Sequence, residues 1–119
     1  MTDAERDALL ASALRYSGGS HEVGDVVAGI AEGRFQEWRG ERSVVVTELV
    51  ANPRVKEAHA FLAAGDLDEI KVLYPVMLAW AKSMGCTRAT MTGRPGWAKT
   101  FLTRDEGWTS QLVLFSKEI

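Results

Sequence analysis

The chain has 119 residues, of which 46% are hydrophobic, and a formal net charge of −2. This length and apolar content suit one compact domain with one core, so we expect a single domain over residues 1–119. The mild negative charge excludes the basic surface typical of nucleic-acid-binding proteins. The sequence contains no run of about 18 apolar residues, so no membrane span is predicted. One cysteine excludes an internal disulfide framework, and Cys86 is interpreted as a small buried residue.

The first part of the sequence predicts two helices. Thr2–Tyr16 begins with a residue that can cap a helix, has acidic residues in its first turn, and then shows an apolar stripe at helical spacing. His21–Glu32 follows a Gly-rich loop and predicts a second helix. Its inward residues are expected to be Val23, Val26, Val27 and Ile30. The opening MTDAERDALL lacks the layout of a signal peptide, so we expect an intracellular protein.

Three strands joined by short turns are predicted next. They cover Arg34–Arg39, Ser43–Val50 and a central strand over residues 54–62, in which alternating residues give the period of two that a strand requires. Because the turns between these strands are short, we expect an antiparallel meander.

A strand–helix–strand unit follows the meander. Gly65 ends the central strand, and Asp66 lies at the N-cap position with Glu69 three residues further on, which is the spacing of a capping box. The predicted helix over residues 66–84 places its apolar residues on one face, and residues 86–92 form the next strand. This connection predicts that the two strands are parallel neighbours.

The remaining elements complete an α+β pattern. Pro75 lies deep inside the predicted helix, so we expect the helix to bend or to divide there. The stretch GRPGWAKTFLTRDEGW predicts a short helix, and Thr109–Ser116 predicts a last strand. The resulting order is α-α-β-β-β-α-β-α-β, which indicates a mixed central sheet flanked by helices.

This order resembles the GNAT-type N-acetyltransferase fold without its usual first strand. The local sequence is similar to that of a group of small GNAT-like proteins encoded by tailed bacteriophages. The stretches that carry the similarity are GRFQEWRGERSVVVTEL, FLAAGDLDEI, AWAKSMGCTRATMTGRPGW and the final EGW. The resemblance implies a virion or accessory role, in the host cytoplasm or within the virion. It also implies other phage structural proteins, or a second copy of this chain, as partners.

The same resemblance implies where acetyl-CoA would bind. GNAT enzymes hold its pyrophosphate on backbone N–H groups at the start of the central helix, which is the anion site that a helix N-terminus offers. The matching residues here are Leu62, Ala63, Ala64, Gly65, Asp66 and Leu67. The glycine fits the family pattern, but Leu62 replaces Gln or Arg and Leu67 replaces a small residue. Because Asp66, Asp68 and Glu69 compete with a pyrophosphate for this helix end, we expect weak or absent acetyl-CoA binding.

The residues for proton transfer also depart from the family pattern. Many GNAT enzymes carry a tyrosine four residues before a Gly–aromatic pair. Here that pair is Gly107-Trp108, and the matching position is Thr103, or Leu102 if one residue is inserted. The candidate general bases are Glu48 and Glu57, although a strand glutamate often faces solvent.

Two histidines and one turn give weaker signals. His59 is interpreted as a hydrogen-bonded strand residue and His21 as a surface or capping residue. With a single cysteine they give no metal-ligand spacing, so no metal is expected. The turn at residues 94–97 either binds an anion through Arg94 or packs Trp97 over the core.

Two main functions therefore stay open. The first is a catalytically degenerate GNAT-fold protein that needs no cofactor and acts by binding proteins. The second is an acetyl-CoA-dependent N-acetyltransferase that acts on an amine. The altered glycine turn and the missing tyrosine favour the first. A small phage-encoded regulator of host machinery is a third interpretation.

Overall fold

The computed structural model describes all residues from Met1 to Ile119. Four α-helices and one 3-10 helix, η1, accompany a four-stranded sheet. The elements are α1 (Asp3–Leu14), α2 (Val23–Ala31), β1 (Gln36–Arg39), β2 (Ser43–Ala51), β3 (Lys56–Gly65), α3 (Leu67–Ser83), β4 (Arg88–Met91), η1 (Pro95–Lys99) and α4 (Phe101–Asp105). None of the helices combines the length and the apolarity that crossing a membrane requires.

The sheet has the strand order β1-β2-β3-β4. β1 pairs with β2 and β2 pairs with β3 in antiparallel orientation, so the predicted meander is confirmed. β3 and β4 are parallel neighbours joined by α3, which confirms the predicted strand–helix–strand unit. The α+β class with a mixed sheet is therefore observed.

The main core lies between one face of the sheet and the first two helices, which supply the predicted apolar stripes. Its buried residues are Leu10, Leu14, Val26, Phe35, Val44, Val46 and Leu62. α3 covers the opposite face, where Ala58 and Ala60 of β3 share a small apolar pocket with Tyr74 and Ala81. In a regular strand Ala60 and Leu62 would share a face, because side chains alternate along the strand. The β2–β3 register shifts between these two residues, so Leu62 faces the main core while Ala60 faces α3.

The helix boundaries follow the local sequence signals. The Thr2 hydroxyl accepts a hydrogen bond from the Glu5 N–H at 3.1 Å and caps α1, as predicted. α3 is one helix from Leu67 to Ser83 with Pro75 inside it, so two short helices divided at this residue are excluded. Pro75 has no N–H, so it leaves the carbonyl four residues earlier without its helical hydrogen bond. Because Pro75 is exposed on α3, solvent can bond to this carbonyl instead.

The predicted last strand over Thr109–Ser116 is wrong for the isolated chain, and the order ends with α4 instead. Beyond the N–H of Trp108, which donates to the Leu102 carbonyl, residues 109–119 make no backbone hydrogen bond. The composition of this segment favours a strand, but a strand also needs a neighbouring edge that supplies hydrogen-bond partners. No such pairing forms within the chain.

Candidate functional site

The two parallel strands diverge after a short paired region. Residues 57–60 of β3 pair with residues 88–91 of β4, and the last bond joins the Thr92 N–H to the Ala60 carbonyl at 3.2 Å. β3 then continues to Gly65 beside β2 alone, while the chain after β4 turns away into η1. In open sheets with parallel strands, ligands bind where such strands part at their carboxyl ends.

A β-bulge marks the same point of divergence. Val46 pairs with Leu62 and Thr47 pairs with Ala60, so Phe61 is the extra residue on β3. A bulge changes the twist of a strand locally and is common beside binding sites. Here it separates the part of β3 that pairs with β4 from the part that borders the open space.

A cavity of about 530 Å³ fills the space left by the divergence. Its walls come from the end of β3, the first turn of α3 and the η1 region. The lining residues are Ala63, Ala64, Gly65, Leu67, Ile70, Arg94, Gly96, Trp97 and Thr100. The volume is within the range of small-molecule sites, and the walls are mainly apolar with one cationic side chain.

The first turn of α3 is capped by its own aspartate. Asp66 Oδ1 accepts hydrogen bonds from the N–H groups of Asp68, at 2.9 Å, and Glu69, at 3.2 Å. The Asp66 N–H donates to the Arg42 carbonyl at 3.3 Å. The bond from the Glu69 N–H has the largest effect in holding the pKa of Asp66 below its usual range. The bond from the Asp68 N–H and the Arg42 guanidinium, 3.1 Å from Asp66 Oδ2, lower it further. Three backbone donors at this helix end are therefore already used.

Glu69 ties the same turn to the loop between β1 and β2. Its carboxylate accepts from the N–H groups of Glu41, at 3.1 Å, and Arg42, at 3.0 Å, and from the Ser43 hydroxyl. The Ser43 hydrogen bond, followed by the bond from the Arg42 N–H, lowers the pKa of Glu69. Glu69 therefore does not complete the expected capping box, because its carboxylate bonds to a distant loop instead of the Asp66 N–H.

The predicted acetyl-CoA residues divide into three groups. Ala63, Ala64, Gly65 and Leu67 line the cavity. Leu62 is part of the main core and points away from the cavity, and Asp66 is engaged as the cap. The Leu67 side chain is 39% exposed at the cavity wall, where a small residue would leave the helix end accessible.

Arg94 and Trp97 both line the cavity, so the turn at residues 94–97 brings a cation and an indole ring to the same site. The Arg94 guanidinium lies 4.2 Å from the centre of the Tyr16 ring, a cation–π contact, and forms no ion pair. It is the one charged side chain among the lining residues. The sequence signal for it was the Arg-Pro-Gly-Trp turn.

The candidate general bases lie outside the cavity lining. Glu57 forms an ion pair with Arg88 at 2.8 Å, and Glu48 is opposite His59 in the β2–β3 register. Because Ala58 and Ala60 face α3, alternation places Glu57 and His59 on the other face of β3.

The interpretation of His59 as a hydrogen-bonded strand residue is confirmed. Its ring nitrogens make hydrogen bonds with the Thr90 hydroxyl at 2.8 Å and the Thr92 hydroxyl at 3.0 Å. His59 therefore bridges β3 and β4 two residues before the bulge. The signal for this in the sequence is the pair of threonines spaced two apart, one on β4 and one directly after it, which becomes meaningful only once the parallel register is known.

Two further predicted positions are engaged in local structure. The Thr103 hydroxyl, at the position matching the family tyrosine, donates to the Ala98 carbonyl at 2.7 Å. His21 lies over the main core, with its ring 4.8 Å from the Phe61 ring. Cys86 is a half-buried free thiol, and no cluster of three or more metal-ligating side chains is present.

Comparison with known proteins gives one structural likeness. No protein-family model matches the sequence, and no curated protein is similar to it. Among solved structures, the fold is similar to that of the tetramutant of the BH1408 protein from Bacillus halodurans, with a TM-score of 0.70. The likeness covers 98% of this chain and 94% of that chain at 10% sequence identity. At this identity it shows a shared fold and carries no conclusion about activity.

Proposed function

We propose that this chain is a phage-encoded protein with a GNAT-like fold and a degenerate acetyl-CoA site, which acts by binding other proteins as a virion or accessory component. The parallel β3–β4 pair, its divergence and the bulge support the GNAT-like part of the proposal. The phage origin and the virion role rest on the sequence stretches quoted above. The partners are other phage structural proteins or a second copy of this chain.

The observation that carries the proposal is the internal capping of α3. A pyrophosphate at this helix end would need backbone donors and positive potential. The N–H groups of Asp66, Asp68 and Glu69 already have acceptors within the protein. The carboxylates of Asp66 and Glu69 also add negative charge where the phosphates would lie, and their lowered pKa values keep them ionised at neutral pH.

Calorimetric titration with acetyl-CoA tests the degenerate site. We expect either no measurable heat of binding or a Kd weaker than about 10 μM, which corresponds to a binding free energy of about −7 kcal/mol. The variant Arg94→Ala serves as a control. If the site does not bind the pyrophosphate, loss of the Arg94 cation should change the measured heat of binding little. A Kd tighter than about 10 μM in the native chain, lost in Arg94→Ala, would instead support an enzyme.

The location of the protein tests the proposed virion or accessory role. Mass spectrometry of purified particles should detect the protein in the virion or, for an accessory role, in complexes recovered from infected cells. A chain that is absent from particles and elutes alone from infected-cell extracts would contradict a role in protein binding.

A working N-acetyltransferase is the second candidate function. The 530 Å³ cavity, with Arg94 as a cation that forms no ion pair, favours it. Release of free CoA thiol from acetyl-CoA in the presence of primary amines distinguishes the two functions. Turnover that depends on His59, Glu48 or Glu57 would establish the enzyme, whereas release at the rate of a protein-free control is expected for the degenerate site.

A further inference from the structure

We propose that residues 109–116 add as a strand to the free edge of β4 in a second copy of the chain, and that the second copy returns the same strand. The product is a two-fold symmetric dimer held by two exchanged strands. The inference goes beyond the proposed function, because the exchange would hold whether or not the cavity binds acetyl-CoA.

The C-terminal segment has the composition of a strand and lacks a partner. Residues 112–115, Leu-Val-Leu-Phe, are between 77% and 92% exposed, and none of residues 109–119 makes a backbone hydrogen bond after Trp108. Four consecutive exposed apolar residues on a protein surface indicate an interaction site. Their β-branched and aromatic content favours an extended conformation.

The two edges of the sheet differ in how they are protected. At the β1 edge, Glu37 and Arg39 are charged, and they form ion pairs with Arg6 and Asp3 of α1. Charged side chains of this kind protect a strand against pairing with another chain. β4 pairs with β3 alone, and its residues after Arg88 are Ala, Thr and Met. The β4 edge is therefore the one open to strand addition.

The geometry places the segment beside such an edge. Trp108 is fixed by its indole N–H, which donates to the Tyr74 hydroxyl at 3.0 Å, and it shares a small apolar pocket with Ala89 and Thr90 of β4. The segment thus leaves the domain next to β4, yet it does not pair with this strand within the chain. β4 has four residues, and the apolar run also has four, so the two lengths match.

A second copy of the chain can pair with both the free edge of β4 and the unpaired C-terminal segment. One chain supplies the unpaired edge and the unpaired strand, and exchange through a two-fold axis pairs each edge with the other chain's strand. Eight large apolar side chains, with the surfaces they cover, bury an area on the order of 1,000 Å², which is the size that a specific interface needs.

The experiment compares two matched double variants of the full chain. Val113→Asp with Leu114→Asp places one carboxylate on each face of the exchanged strand. Val72→Asp with Val76→Asp makes the same chemical change on the exposed face of α3, where the residues are 74% and 58% exposed. Because all four side chains are exposed in the single chain, both variants should keep the fold, which circular dichroism checks.

Light scattering after gel filtration gives the mass, and hydrogen exchange gives the protection of individual amides. We expect the native chain and the α3 variant to have the mass of two chains, with protected amides at residues 88–91 and 111–115. The tail variant should have the mass of one chain. Its protection should fall at least tenfold at residues 111–115 and at the β4 amides that do not bond to β3. A monomeric native chain, a dimer disrupted only by the α3 variant, or a monomer with a protected tail would each overturn the exchange.

Discussion

The two halves of the sheet differ in how completely they are closed. In the β1–β2 half, Val44 and Val46 are buried under α1 and α2, and the charges at the edge are paired. In the β3–β4 half, the strands part around a cavity, and the edge of β4 is free. We expect the closed half to carry most of the stability of the fold, and we propose that the open half carries the surfaces for binding.

The largest expected effect is in the closed half. Leu10 is fully buried in the main core, so Leu10→Ala removes apolar contacts and leaves a cavity. We expect the free energy of unfolding to fall by about 2–5 kcal/mol, measured by urea denaturation. Val72→Ala, on the exposed face of α3, is the control and should change this free energy by less than about 0.5 kcal/mol. Equal losses for both variants would contradict the burial of Leu10 in the main core.

The next largest effect is expected at the turn between β3 and α3. Gly65 has a φ of 111°, and a Cβ there would overlap the Arg42 carbonyl oxygen and approach the Ser43 Cα to 2.6 Å. Gly65→Ala should therefore lower the free energy of unfolding by about 2–4 kcal/mol. Gly85→Ala is the matched control, because Gly85 has a φ of 82° with nothing within 4 Å of its Cβ position, and it should cost about 1–2 kcal/mol. A Gly65→Ala cost no larger than the control would show that the loop is not packed against this turn.

The contribution of Glu69 depends on pH. Its pKa is lower in the folded chain than the value of about 4.3 in the unfolded chain, so the carboxylate stabilises the fold above that value. This stability is lost as the pH falls through the folded pKa. Glu69→Gln should lower Tm by about 4 °C at pH 7, and the difference from the native chain should shrink steadily as the pH is lowered below about 4.

Asp68→Asn is the control for that experiment, since the Asp68 carboxylate accepts no hydrogen bond and forms no ion pair. Its Tm difference from the native chain should be much smaller than that of Glu69→Gln at pH 7. A Glu69→Gln difference that stays constant between pH 7 and pH 3 would mean that the ionised carboxylate does not hold the loop.

The smallest effect concerns Glu57 in the open half. Its side chain is 15% exposed and pairs with the more exposed Arg88, so Glu57→Gln should cost less than about 1 kcal/mol in urea denaturation. When Arg88→Ala is added to Glu57→Gln, the free energy of unfolding should fall almost no further, because the ion pair is already broken. Fully additive losses from the two substitutions would show that the ion pair makes no contribution.

Local signals predicted the elements of the closed half well. The cap at Thr2, the apolar stripe of α2 and the short turns between strands depend on neighbouring residues, and each is present as expected. The cap at Asp66 was predicted for the same reason. The turn of the Glu69 carboxylate toward Ser43 could not be predicted, because it joins residues far apart in the sequence.

The strand that was predicted wrongly, and the details that could not be predicted, both depend on long-range partners. Thr109–Ser116 has strand composition, but no edge within the chain pairs with it. The hydrogen bonds of His59 with Thr90 and Thr92 depend on the parallel register of β3 and β4, which the sequence does not specify. The cavity arises from the divergence of those strands. The resemblance to GNAT enzymes named Ala63, Ala64, Gly65 and Leu67 of its lining, whereas the roles of Arg94 and Trp97 could be given only as alternatives.

The start of α3 offers the most direct measurement. Backbone amide resonances of Asp66, Asp68 and Glu69 can be followed by NMR while acetyl-CoA, and separately inorganic pyrophosphate, is added to the native chain. Since these donors are bonded to Arg42 and Asp66, we predict no saturable shift with a Kd below about 10 μM for either ligand. Saturable shifts of these three amides with a Kd below about 10 μM would contradict internal capping and establish a functional pyrophosphate site.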